Sequence, residues 1–411
     1  MIYRFFAFQL LVLLFMQKFG LPVGDQVAEA IFFTLWGGIG VMVLAGHLRL
    51  NVVRVAFYCG FAMFAIIAHI SLGQPFSAPS LLQILFLYLP FCLEYRVSED
   101  TYHRCMKLFI NLMLVFAAIE FLQHIVQLTI GAKYWINFDK ITPVQFIFKN
   151  FAYFRPMSWG SPYYKPNAEF FLEPSILAQF LGIATIIEVI MFRRYLIIAV
   201  LLLAQVLTFS GTGVLLLLVC APFLMLRLPL KMAVIGLVLG AAFVAILFAT
   251  GYSQMMLGRV FEFNQVGTSG YERFANPLVT IDDFVARQHS LFVGIGAGNL
   301  LETEKGQIFW ASVKCMVEYG FAAFVAFHVY LLYSLFSGAP SKTLAFGLFF
   351  TYSFLGGAFA VPMYALACMM LSSLLRIRPP EEDEAAPEPL WRQLQGARFG
   401  IPPSAHGGLK A

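Results

Sequence analysis

Residues Arg193 to Thr250 read RRYLIIAVLLLAQVLTFSGTGVLLLLVCAPFLMLRLPLKMAVIGLVLGAAFVAILFAT. Three apolar runs, 195–209, 213–228 and 230–250, follow one another with only short breaks. The first break is TFSGTG, Thr208 to Gly213, small and uncharged. The second carries Arg227 and Lys231, and Arg193 and Arg194 precede the first run. Basic charge therefore returns at every second turn. A helix needs about 20 mainly apolar residues to cross the hydrocarbon core. This stretch reads as three successive membrane spans.

The rest of the 411-residue chain extends that pattern. Apolar residues make up 60% and charged residues only 12%, with 45 phenylalanines. Soluble domains run at roughly 45–50% apolar and about 25% charged. A soluble fold could not hide so much apolar surface. A soluble enzyme, a secreted disulfide scaffold and a disordered chain are excluded. The fold class is an all-α polytopic membrane protein.

Twelve segments qualify as spans, near 4–20, 27–46, 53–72, 80–95, 107–130, 174–192, 195–209, 213–228, 230–250, 312–335, 343–358 and 360–375. The last two form one apolar run, divided at Gly356, Gly357 and Pro362. Eleven spans with one long kinked helix is the alternative. With the N-terminus inside, Arg4, Arg49, Arg54, Arg96, Arg104, Lys107, Arg193, Arg194, Arg227, Lys231, Lys342, Arg376 and Arg378 all fall on the cytoplasmic side. The short external loops receive only Lys18. The positive-inside rule then places both termini in the cytoplasm. The net charge of +5 follows from this topology and is no sign of nucleic-acid binding. The first apolar run ends in Gln17 and Lys18 without a small-residue cleavage site, so it reads as an uncleaved span. The six cysteines show no metal or disulfide spacing and read as small buried hydrophobes.

Residues 1–375 are expected to form the transmembrane domain, with long external loops at 131–173 and 251–311. Both loops are rich in aromatics, so they read as folded caps with short helices, unlike disordered loops. Residues 376–411, rich in Pro, Gly and acid, read as a disordered cytoplasmic tail.

The first chemical cluster is FRPMSWGSPYYKPNAEFFLEPS, Phe154 to Ser175. It gathers Arg155, Lys165, Glu169 and Glu173. Pro174 suits the first helical position, which makes Glu173 the cap residue. Glu173 is either a cap alone or a catalytic carboxylate. The second cluster, Gly258 to Asn299, carries Arg259, Arg273 and Arg287. Arginine suits phosphate oxygens, although Glu262, Glu272, Asp282 and Asp283 are nearby partners. Asp282 and His289 are further acid or base candidates. Inside the spans, Glu120 and His124 share a helix face at i, i+4, as do Lys314 and Glu318. The first pair is expected to hydrogen-bond within the bundle, and the second to neutralise itself. No metal-ligand spacing is present, no nucleophile elbow, and GIGAGN, Gly294 to Asn299, follows no clear strand and is not a nucleotide loop.

These pieces, in this order, resemble the bacterial O-antigen polymerase and O-antigen ligase superfamily, which includes exopolysaccharide repeat-unit polymerases. They are Arg155-Pro156, Glu173-Pro174-Ser175, the TFSGTG turn, the spaced arginines Arg259 and Arg273, GIGAGN, and Glu318-Tyr319-Gly320. Ligases of this superfamily usually carry a His about nine residues before the Glu-x-Gly. Phe309 stands there, which favours a polymerase. The resemblance implies a metal-independent glycosyltransferase of the bacterial cytoplasmic (inner) membrane, without cofactor. It would join polyprenyl-diphosphate-linked oligosaccharide repeat units at the external face. Glu173 and Arg155 would be catalytic, and Arg259, Arg273, Arg287 and Lys165 would hold the diphosphate. Glu169, Asp282 and His289 stand behind Glu173 as acid or base. The implied partners are the lipid-linked donor and acceptor, membrane lipid, and chain-length regulator and flippase proteins. The alternatives are a ligase-type glycan transferase, and a flippase or other secondary transporter.

Overall fold

The structure is a computed structural model that describes residues 1–23, 26–72, 77–148, 155–157, 162–229, 231, 245, 266, 268, 270–286, 291–300, 310–355 and 359–378. It is mostly helical. The helices are α1 (Ile2–Phe15), α2 (Ala30–Leu44), α3 (Val52–Leu72), α4 (Ala78–Tyr88), α5 (Glu99–Thr129), α6 (Pro174–Ile187), α7 (Tyr195–Leu207), α8 (Gly211–Met225), α9 (Asn276–Ala286), α10 (Ala311–Phe336), α11 (Lys342–Phe350) and α12 (Pro362–Cys368). Among the described residues, and by length and composition alone, four stretches could cross a membrane: Val52–Ile70, Glu99–Thr129, Pro174–Phe192 and Ala311–Phe336. The expected span 230–250, apart from Lys231 and Ala245, and the tail beyond 378 lie outside the described residues.

Local chemistry explains the helix starts. Ser77, Ser98 and Ser341 cap α4, α5 and α11 by accepting from the main-chain N–H three residues on, as short hydroxyl side chains do. Pro174 and Pro362 occupy first turns, where the missing N–H costs nothing. The core is apolar and aromatic, with α6 buried along its whole length. Five of the six cysteines are buried and Cys59 is exposed, all as free thiols.

Two sets of contacts define the two ends of the bundle. At one end β3 (Arg49–Leu50), β4 (Leu93–Val97) and β5 (Leu375–Ile377) form a small sheet, antiparallel between β3 and β4 and parallel between β4 and β5. Buried Arg54 fastens this end. Its Nη1 donates to the carbonyls of Phe91 (3.2 Å), Leu93 (3.2 Å) and Ser373 (3.0 Å). Arg376 does the same for the Ser334 carbonyl at 2.8 Å. Such carbonyls near helix ends lack partners of their own. At the other end, the hairpin of β1 (Gly20–Val23) and β2 (Gln26–Glu29) joins α1 to α2. Phe19 there bridges to Ile147.

The division at the last apolar run is observed. A π-helical turn, Thr351–Leu355, extends α11, and the chain restarts at Pro362. Gly338, before α11, and Arg376, after α12, meet at the sheet end, where a Cβ on Gly338 would lie 3.3 Å from the Arg376 side chain.

The expected single span at 312–335 is corrected. Gly320 breaks α10 with φ 83° and ψ 171°. Ser312 Oγ lies 2.8 Å from His328 Nε2, sixteen residues on. A continuous helix would separate them by about 24 Å. Residues 311–319 and 321–336 therefore fold back on each other at Gly320, and the first half-helix starts inside the bundle.

Candidate functional site

Glu173 occupies the cap position of α6 in an extended conformation, φ −145° and ψ 153°, yet its side chain makes no capping hydrogen bond. Its Oε1 pairs with Arg155 Nη2 at 3.1 Å. Its Oε2 accepts from Ser175 Oγ at 2.9 Å. The Glu173 side chain is 6% exposed and that of Arg155 31%. The pair thus joins a buried carboxylate to a guanidinium at the rim. Among the described residues Arg155 Nε has no hydrogen-bond partner.

A short extended pairing places Arg155. Pro156 bridges Tyr164 antiparallel, Lys165 N donates to the Arg155 carbonyl at 2.8 Å, and Met157 N donates to Tyr163 at 2.9 Å. Tyr164 N donates to Gln127 Oε1 at 2.8 Å, which anchors the pairing to the last turns of α5. Lys165 is thereby brought beside Arg155 along the backbone. The turn that follows is stiff. Asn167 Nδ2 donates to the Phe171 carbonyl at 2.9 Å, while Ala168 and Glu169 take left-handed φ of 50° and 61°.

Glu169 has a different setting from Glu173. Its carboxylate accepts from Trp135 Nε1 at 2.8 Å and from Phe138 N at 3.0 Å. Lys18 Nζ lies 3.4 Å from it and 3.4 Å from Asp139. This buried cluster ties the first turn of the chain to loop 131–173. The Glu169 carboxylate is thus shared among a lysine, an indole N–H and a main-chain N–H. The sequence held one signal of the cluster: Lys18 is the lone basic residue in the short loops of its side.

The TFSGTG turn packs against the head of α6. Thr212 Oγ1 donates to the Ser175 carbonyl at 3.2 Å and lies 3.1 Å from Ser210 Oγ. A Cβ on Gly213 would stand 2.4 Å from the Ala178 carbonyl oxygen, so glycine is needed for this close approach. Glu173-Pro174-Ser175 and TFSGTG, more than thirty residues apart in the chain, form one corner. Beside them the expected Glu120–His124 bond is corrected. His124 Nε2 pairs with the Leu207 carbonyl at 2.9 Å. Glu120 is fully buried, and its oxygens have no hydrogen-bond partner among the described residues. The reason is helical geometry: an imidazole that reaches across to a neighbouring helix end points away from its own i−4 side chain.

GIGAGN and Glu318-Tyr319-Gly320 also meet. Ile295 N and Gly296 N each donate at 2.9 Å, to the carbonyls of Val317 and Glu318. These are the open C-terminal carbonyls of half-helix 311–319. A Cβ on Gly294 would lie 2.6 Å from Glu318 backbone, and one on Gly320 2.2 Å from the Phe292 carbonyl oxygen. The two motifs are one backbone crossing. Lys314 Nζ lies 3.6 Å from Glu318 Oε1, as the i, i+4 spacing predicts.

Arg273 lies in a π-helical turn, Tyr271–Ala275, that leads into α9. Glu272 Oε2 accepts from Asn276 Nδ2 at 2.9 Å. Asp282 and Asp283 are exposed on α9. Arg259, Glu262, Arg287 and His289 lie outside the described residues. Among the described residues no three His, Cys, Asp or Glu side chains are grouped to hold a metal ion.

The corner around Glu173 can therefore offer a buried carboxylate, a rim guanidinium with one N–H unpaired among the described residues, and a hydroxyl that orients the carboxylate. The chain matches no protein-family model and no curated protein.

Proposed function

We propose that the chain is a polysaccharide polymerase of the bacterial inner membrane, joining polyprenyl-diphosphate-linked oligosaccharide repeat units at the end that carries Glu173, which faces outside. The observation that carries this reading is the shared Glu173 carboxylate, held by Arg155 on one oxygen and Ser175 on the other. In the resting protein Arg155 masks the carboxylate. An incoming diphosphate offers stronger bidentate acceptors for the guanidinium. Its transfer to phosphate breaks the Arg155–Glu173 contact. Glu173 then takes the proton from the acceptor hydroxyl as the new C–O bond forms. The bond between the anomeric carbon and the diphosphate breaks, and Arg155 stabilises the charge that develops on the leaving group. Lys165, beside Arg155, and the arginines of the second loop would supply further positive charge.

The test uses Glu173→Gln and Arg155→Lys in a strain lacking the chromosomal copy, with polymer length and membrane abundance read together. Glu173→Gln is expected to reach the membrane normally and make no polymer, with single lipid-linked units accumulating on the outer leaflet. Arg155→Lys keeps charge but loses the fork, and is expected to cost ~10²–10³ in rate. Normal polymer from Glu173→Gln removes the base. Units trapped on the inner leaflet would point to a flippase.

A further inference from the structure

The loop that crosses α10 is fastened by a histidine whose two ring nitrogens are committed in opposite senses. His69 lies in the last turn of α3 and is buried. Its Nδ1 stands 2.6 Å from the Ala65 carbonyl oxygen. A carbonyl can only accept, so Nδ1 carries the proton. Its Nε2 stands 2.9 Å from the main-chain nitrogen of Ala297. An amide N–H can only donate, so Nε2 presents its lone pair. Only the neutral Nδ1–H tautomer satisfies both. A second proton would set N–H against N–H, and the bond to Ala297 would be lost.

The Ala297 peptide is the centre of the attachment. Its carbonyl accepts from Ser77 N at 3.0 Å. A Cβ on the next residue, Gly298, would lie 3.0 Å from the Ser77 side chain. One peptide thus ties the end of α3 to the head of α4, while Ile295 and Gly296 hold the broken helix α10. The same loop packs on α9, because Ile295 and Leu300 share an apolar cluster with Ile281 and Phe284. Among the described residues, the groups that face His69 do not overrule its proton. From α10, the Tyr319 ring lies 5.3 Å from the imidazole, and Glu318 is paired with Lys314 at 3.6 Å. The head of α4 presents the hydroxyls of Ser77 and Ser80.

We propose that His69 is a positioning residue: its neutral imidazole keeps loop 291–300, and with it the α9 segment that follows Arg273, docked on the bundle. Acid releases the loop. Docking is complete above the imidazole range and is lost as pH falls through it. The consequence for catalysis rests on the polymerase reading, but the docking itself does not.

The experiment is amide hydrogen exchange on the purified full-length protein in nanodiscs, between about pH 4 and about pH 8, a window that extends well below the ordinary imidazole value near 6.5. Rates are corrected for the intrinsic pH dependence of exchange. In the wild type, protection of the 291–300 amides should fall roughly tenfold per pH unit below the imidazole's titration, as one linked proton requires. His69→Gln offers an amide oxygen to Ala297 at any pH, so its protection should be flat. Equal wild-type protection across the range, or the same fall in His69→Gln, overturns the proposal. If polymer is made, the wild type should lose activity in acid and His69→Gln should not. If no polymer is made, the exchange result still decides the docking.

Discussion

Lys18 is fully buried, with its ammonium 3.4 Å from Asp139 and 3.4 Å from Glu169. Removing one member of a buried ion cluster strands the others, which costs about 3–5 kcal/mol. Lys18→Met should therefore lower the unfolding temperature in detergent sharply. Lys18→Met with Glu169→Gln should recover part of the loss, since one stranded carboxylate is then neutral. Wild-type melting from Lys18→Met alone would show that the cluster contributes nothing. Glu173 was legible as a residue of interest from Glu-Pro-Ser, because proline and a preceding acid mark a helix head. Its partner Arg155 was within reach, eighteen residues back. The difference between Glu169 and Glu173 was not legible. It depends on Lys18, 151 residues away, and no local pattern encodes such a distance.

Gly320 and Gly294 let two segments cross where side chains would collide. Gly320→Ala and Gly294→Ala each add a Cβ within 2.6 Å of backbone atoms and place it on a left-handed φ. Backbone strain of that kind costs about 1–3 kcal/mol before any clash is counted. Both variants should show reduced yield and a lower melting temperature. Gly211→Ala is the control, because nothing lies within 4 Å of its Cβ position and it begins α8, where alanine is the better helix former. Equal behaviour of all three would dismiss the crossing as a structural requirement. The reversal inside α10 escaped the sequence reading because hydropathy adds residues without regard to direction. A run of apolar residues has the same sum whether it crosses once or folds back at a glycine. The break before Pro362 was visible, since paired glycines and a proline interrupt a helix by their own backbone preferences.

The two ends of the bundle hold different chemistry. Glu173, Lys18 and His69 belong to one end, and the β3–β4–β5 sheet with Arg54 and Arg376 to the other. If the Glu173 end faces outside, a thiol-specific impermeant reagent should label Ile141→Cys on intact spheroplasts. It should label Leu226→Cys only after permeabilisation. Both residues are exposed, and Cys59 must first be replaced because it is exposed too. Labelling of Leu226→Cys from outside would invert the arrangement and move the proposed site into the cytoplasm. By itself the sequence determined a mostly helical, strongly apolar chain with helices long enough to cross a membrane, the positions of eleven described helices among the twelve expected segments, and the alternation of basic turns. Each of these is a sum over neighbouring residues: apolar length, charge per turn, or a local helix breaker. Only the tertiary structure decided that Thr212 meets Ser175, that Gly294 meets Gly320, that Lys18 is buried between two acids, and that α10 folds back. Those are contacts between segments remote in the chain, chosen by the packing of whole helices, where the desolvation of each polar group must be offset by a partner that only the folded molecule brings within reach.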